Sequence, residues 1–243
     1  MDELREVADL LNRSNCAVAL TGAGVSTPSG IPDFRGPQGL WRRIDPRRFE
    51  IAYFYAHPGE VWRLFVDTFL AQAEAKPNPA HLALAELEAK GKICAVITQN
   101  VDGLHQRAGS KRVIELHGSL RYAVCTSCGA RFPLSEVLKG PIDDAPRCRV
   151  CGGVLKPDVV FFGEPLPYEA LQDAMMLAEL SDVFMAIGTS LAVAPANRLP
   201  LIAKRKGAKL VIINQDPTEL DEFADIIIRG KVEEILPRIA ELI

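Results

Sequence analysis

Four cysteines at matched spacing and one histidine after an apolar run have the strongest capacity for chemistry in this chain. Cys125-x2-Cys128 and Cys148-x2-Cys151 form two pairs that can close on one tetrahedral Zn²⁺. Four thiolates would leave no open position for water, so such a metal would be structural. The alternative, two disulfides or redox motifs, is disfavoured in a reducing cytosol. The remaining cysteines, Cys16 and Cys94, lie in apolar runs and read as inert core residues. His117 follows the apolar run 113–116, and an imidazole with an ordinary pKa of ~6.5 offers a neutral base at pH 7. A lone histidine in that position is otherwise a satisfied core or surface residue, the reading that His57, His81 and His105 keep.

A second cluster lies in residues 21–36, TGAGVSTPSGIPDFRG. It follows the run 16–20, which reads as a buried parallel strand. A strand opening into Gly22-Ala23-Gly24 is how a doubly wound α/β sheet offers backbone N–H groups to a dinucleotide pyrophosphate. The standard GxGxxG would need glycine at position 27, where Thr27 stands, and the next glycine is Gly30. Phe34 and Arg35 add an aromatic face and a guanidinium in the loop beyond.

Ligands of open parallel sheets bind beyond the carboxyl ends of the strands, and polar residues stand at each such end here. The run ending at Thr98 continues into Gln99-Asn100-Val101-Asp102, and the run ending at Leu116 into His117. The run ending at Ile187 continues into Gly188-Thr189-Ser190, and the one ending at Ile213 into Asn214.

These residues need strands behind them. A first helix is expected after an Asp2 cap, with Leu4, Val7, Leu10 and Leu11 on one face. Strands are expected at 16–20, 93–98, 113–116, 183–187, 209–213 and 225–228. Helices are expected near 79–90, at 168–180, and near 195–206 with a disturbance at Pro200. A closing helix carries Val232, Ile235, Leu236, Ile239 and Leu242. Strands alternating with helices imply a mostly parallel, Rossmann-like α/β sheet covered on both faces. Residues 36–80, with an amphipathic stretch at Val61, Leu64, Phe65 and Phe69, break that rhythm, as does the cysteine region. The economical division assigns 1–35, 81–120 and 158–243 to a dinucleotide-binding domain. Residues 36–80 and 121–157 then form a smaller inserted domain with a helical and a zinc module.

At 243 residues, 48% hydrophobic and 24% charged, the composition is that of an ordinary globular protein. A net charge of −3 gives no global pull toward nucleic acid or an acidic membrane. The cluster Arg42-Arg43…Arg47-Arg48 reads as a solvated loop, or as a site for an acidic or DNA-bound partner. No apolar run approaches the ~18 residues of a membrane span, and MDELREVADLLNR is neither a signal nor a transit peptide, so a cytoplasmic protein is expected.

The GAGxS…SGIPDFRG run, with TQNVD, ELHG and the paired cysteines, resembles the sirtuins, NAD-consuming protein deacylases, from Leu20 to about Lys231. The resemblance implies transfer of an acetyl group from a protein or peptide lysine to ADP-ribose, with NAD as cofactor and one structural zinc. Mono-ADP-ribosyl transfer from the same cleft, or a non-catalytic NAD- and zinc-dependent binding module, are the alternatives. It implies that His117 takes a proton from the ribose hydroxyls and that Asp102 binds the nicotinamide carboxamide. Asn100 would orient ribose and water. Gly188, Thr189, Ser190 and Asn214 would hold the phosphates and the adenosine ribose, and Lys231 the adenine. Ala23, Thr27, Phe34, Arg35 and Gln99, with Gly22, Gly24 and Val101, would complete the cofactor site. Val160, Phe162, Gly163 and Val193 would hold the substrate between two short strands, 159–164 and 190–193, with an apolar tunnel for the acyl-lysine. Those segments could equally be ordinary core strand. Relatives that remove succinyl groups carry a Tyr and an Arg where Phe65 and Thr68 stand here, which implies a preference for uncharged acyl groups.

Overall fold

The structure is a computed structural model describing residues 2–36, 39–69, 74–139 and 144–243. The chain opens with α1 (Asp2–Arg13) and β1 (Ala17–Thr21), then short 3-10 turns, α2 (Ile51–Ala56) and α3 (Pro58–Phe69). Next come α4 (Pro79–Ala89), β2 (Ala95–Thr98), α5 (Leu104–Ala108) and β3 (Val113–Glu115). The cysteine region contributes β4 (Gly118–Cys125), β5 (Arg131–Pro133), α6 (Leu134–Val137) and β6 (Leu155–Val159). The chain closes with α7 (Tyr168–Leu180), β7 (Val183–Ile187), α8 (Leu199–Arg205), β8 (Lys209–Asn214), β9 (Ile226–Arg229) and α9 (Val232–Ala240).

Six strands form one parallel sheet in the order β3-β2-β1-β7-β8-β9. Its central strands are apolar throughout because both faces are covered. In β1, Ala17 and Ala19 point into a core shared with α1, α4 and α9, while Val18 and Leu20 point into a core shared with α7 and α8. The order reverses direction between β1 and β7, the switch point at which such sheets open a crevice.

The remaining strands form a separate antiparallel sheet, β5-β4-β6. Its core joins Phe54, Trp62 and Phe65 from α2 and α3 to Cys125, Cys148 and Leu155. The indole of Trp62 donates to the Leu155 carbonyl at 2.7 Å, so the helical insertion is hydrogen-bonded to β6.

Several sequence expectations need adjustment. The expected cap at Asp2 concerns a side chain outside those described, and α1 already begins at that residue. Pro200 does not disturb α8 but occupies its first turn, where a missing N–H is not needed. Leu242 lies beyond α9 and is 45% exposed. Cys16 and Cys94 are half-buried rather than core. Burial, with the Cys94 thiol alongside, pushes the Cys16 thiol up to about 12, which keeps it protonated. Among the described residues no helix is long and apolar enough to cross a membrane.

Candidate active site

The residues that follow β1, β2, β3, β7 and β8 meet at one end of the parallel sheet. There they face the loop after β6 across a cavity of about 1910 Å³. Every nucleotide and substrate residue singled out from the sequence lines that cavity, from Gly22 through Asn100, Asp102 and His117 to Val193, Asn214 and Lys231.

His117 is half-buried, and its Nδ1 lies 2.9 Å from the Gln99 carbonyl. A carbonyl only accepts, so Nδ1 carries the proton in the neutral ring and Nε2 holds the lone pair. Burial moves its pKa below the ordinary value, against the opposing effect of the Gln99 bond, so the ring is a neutral base at pH 7. Asn100 is anchored behind it, donating from Nδ2 to Gly22 O at 3.0 Å and to Ser26 Oγ at 3.1 Å. Ser26 donates in turn to Asp102 Oδ2 at 2.7 Å, and Asp102 Oδ1 accepts from Leu104 N–H at 2.9 Å. His81 Nε2 lies 3.4 Å from the Ser26 hydroxyl. The His81 ring is oriented from α4, where its Nδ1 accepts from Asn78 N–H in a reciprocal cap.

Ser26 and His81 are therefore site residues to which the sequence reading assigned no role. Ser26 lay inside the motif, and the Asn78-x-x-His81 capping pattern was readable. Their meeting joins segments far apart in the chain. His105 keeps the reading of a core histidine, buried in the first turn of α5 against His81 with ring centroids 4.8 Å apart. Its Nε2 lies 2.9 Å from Thr21 Oγ1. Desolvation lowers His81 to about 4 and His105 to about 3, so both are neutral.

The glycine motif works differently from the expectation. The N–H groups of Gly22 and Gly24 do not stand free for phosphate, because they donate to Ile187 O at 3.2 Å and Gly188 O at 2.9 Å. A Cβ at Gly24 would lie 2.8 Å from Gly188 O, and one at Gly188, where φ is +57°, would lie 2.6 Å from Val25 N. Bare backbone is needed here so that the loops after β1 and β7 can touch at the switch point. Gln99 Nε2 ties β2 to the same place, donating to Thr189 Oγ1 at 3.0 Å.

Neither 160–162, on the opposite wall, nor 189–193, after β7, forms the short strand expected there. They are irregular segments flanking the cavity, with an isolated bridge between Glu50 and Phe162. Phe162 is 41% exposed, against a buried-core reading. Phe65 is fully buried in the aromatic core, and Phe69, one turn later, is the α3 side chain that reaches the cavity. Three members of the arginine cluster have partners, while Arg43 lines the cavity. Arg47 pairs with Asp45, Arg48 pairs with Glu60, and Arg42 donates to the Gly36 carbonyl.

The four cysteine sulfurs of the second sheet lie within 4.8 Å of one another, with Cys125 to Cys151 at 3.4 Å and Cys128 to Cys148 at 3.7 Å. Thiolates 2.3 Å from a tetrahedral zinc would stand about 3.8 Å apart, so the donor set fits that ion. Backbone N–H groups of Cys128 and Ser127 donate to Cys125 Sγ at 3.5 and 3.4 Å, contacts that suit a ligating thiolate.

Residues 22–195 match the Sir2 family model. The chain belongs to the Sir2 family. Among Sir2-family relatives it is 69% identical to NAD-dependent protein deacetylase 1 of Pyrobaculum aerophilum, over 99% of this chain and 94% of that one. It is 46% identical to the NAD-dependent protein deacetylase of Thermotoga maritima, over 98% of each. Among solved Sir2 structures, a histidine-to-alanine variant with deacetylated p53 peptide and 3′-O-acetyl ADP-ribose superposes with a TM-score of 0.94 at 46% identity, covering 98% of both chains. A Sir2 complex with p53 peptide and NAD⁺ gives 0.90 at 46% identity, covering 98% of this chain and 97% of that one.

Proposed function

We propose that this Sir2-family protein is an NAD-dependent protein lysine deacetylase. It moves the acetyl group of acetyl-lysine to ADP-ribose, releasing nicotinamide, free lysine and O-acetyl-ADP-ribose. The observation that carries this reading is the convergence on one cavity of a base with its Nε2 lone pair defined, His117, and the braced pair Asn100 and Asp102. The full-length relatives named as deacetylases support the same reaction.

NAD supplies a ribose carbon activated by its nicotinamide leaving group. The chain's own residues do the rest. Asp102, oriented by Ser26 and Leu104 N–H, would accept from the carboxamide, and Asn100 would orient the ribose. His117 Nε2 would take the ribose hydroxyl proton, its ring held by Gln99 O. Gly188, Thr189, Ser190, Asn214 and Lys231 would hold the phosphates and adenosine. Val160, Phe162, Gly163 and Val193 would wall the acyl-lysine, and the substrate backbone would add between 160–162 and 190–193 as a short strand.

The proposed division is the one expected above: 1–35, 81–120 and 158–243 carry the nucleotide, and 36–80 with 121–157 form the smaller domain. Separate cores around the two sheets support it. A cytoplasmic location suits six cysteines that form no disulfide. The test is nicotinamide release from NAD by the pure protein with and without an acetyl-lysine peptide. Release that depends on peptide supports deacetylation. Transfer of ADP-ribose to protein without deacetylation, or no turnover, would overturn it.

A further inference from the structure

Lys156 on β6 is a buried cation that no role described so far uses. Its Nζ donates to the Val159 carbonyl at 2.6 Å and to Glu164 Oε2 at 2.9 Å, and stands 4.6 Å from the centre of the Phe161 ring. An ammonium has three donors, and here two meet oxygen while a ring face lies beside it. Glu164 Oε2 also accepts from Phe161 N–H at 2.7 Å. Glu164 N–H returns to Phe161 O at 3.0 Å across Gly163, whose φ is +88°. One side chain thus closes the turn that carries the proposed acyl-lysine wall. That turn is also tied to the base, since Val160 N–H donates to the His117 carbonyl at 2.9 Å. Lys156 itself does not line the main cavity.

We propose that Lys156 is a positioning residue for substrate: its ammonium locks residues 159–164 so that the acyl-lysine wall keeps its place relative to His117. The proposal rests on the deacetylase reading for what the wall holds, and on geometry alone for the lock. Removing the cation would leave the Val159 carbonyl unpaired and Glu164 with only the Phe161 N–H.

The experiment compares Lys156→Met, Glu164→Gln and Arg131→Met with the unmodified protein. Arg131 pairs with Asp158 and lies over the Tyr122 ring on the same small sheet, partners outside residues 159–164, which makes it the control. Lys156→Met should raise the peptide KM by about tenfold or more, because misplacing a positioning wall weakens productive binding. NAD affinity should stay within about twofold and zinc content unchanged, as neither site contacts the ammonium. Glu164→Gln keeps shape and one acceptor and should give a smaller rise of about threefold, which also serves if the methionine variant does not fold. Arg131→Met should leave the peptide KM unchanged. Amide exchange at Val160 and Phe161 should accelerate in Lys156→Met and not in Arg131→Met. A peptide KM within about twofold of the unmodified protein would overturn the proposal, as would parallel losses of NAD affinity, zinc and kcat. If the unmodified protein lacks deacetylation, that reading fails separately, and the amide exchange result still decides whether Lys156 locks the turn.

Discussion

The two sheets hold their sides of the cleft by different means. On the parallel side, Asn100, Thr189 and Ser190 stand two or three positions past β2 and β7, each paired on both flanks, so backbone ladders place them, while His117 follows the edge strand β3. On the antiparallel side the strands are few, and the wall depends on four thiols, the Trp62 indole and the Lys156 ammonium. A sheet buried between helices holds a site through its own backbone. A small sheet with little core needs metal and polar side chains to do so.

That contrast predicts where damage should fall. The largest effect is expected from the metal, whose binding in small modules is worth roughly 10–16 kcal/mol of folding. Chelation or Cys148→Ala should unfold the antiparallel module and abolish peptide turnover, while far-UV circular dichroism retains the parallel-sheet signal. Metal analysis should find about one zinc per chain. A metal-free protein with full activity would erase the distinction.

Next is His117→Ala, which should lower kcat for deacetylation about 10²- to 10⁴-fold without changing the melting temperature. Because its pKa is lowered, the acid limb of the pH profile in the unmodified protein should lie below ~6.5. A limb above that value would contradict the desolvated site.

Gly24→Ala tests the other side. Forcing a Cβ to within 2.8 Å of Gly188 O should cost about 1–3 kcal/mol, the usual range for overpacking. Calorimetry should show a lower melting temperature, and titration a weaker affinity for NAD than for peptide. Unaltered NAD binding would mean that the loop contact does not shape the nucleotide site.

Last is the pH dependence of stability. His81 and His105 have folded values near 4 and 3, below the ordinary 6.5, so the unfolded chain binds more protons between those limits. Their stabilisation is complete above about pH 6.5 and declines as pH falls, because the unfolded chain takes up protons that the contacting, desolvated rings do not. Denaturant titrations between pH 7 and 4.5 should show that slope, and His105→Phe should reduce it.

Much of this was legible beforehand because it is written in local pattern. Apolar runs of four to six residues marked the strands, with ends moved by one or two positions. The cysteine spacing marked the metal site, and a polar residue after each strand marked the rim. The helix expected near 195–206 is present as α8, but Pro200 does not interrupt it, because proline lowers helix propensity inside a helix but suits its first turn.

By itself, then, the sequence determined the sheet class, the two matched cysteine pairs and the residues of the rim, since each follows from periodicity or from spacing along the chain. Tertiary structure alone decided how those residues are held. Ser26 meets Asn100 and His81, Gly24 meets Gly188, and β6 carries Lys156 to a turn tied to His117, all across separations that no local pattern records. The physical reason is that a hydrogen bond or a close backbone approach needs angstrom-level placement of two segments, and only the packed cores supply it.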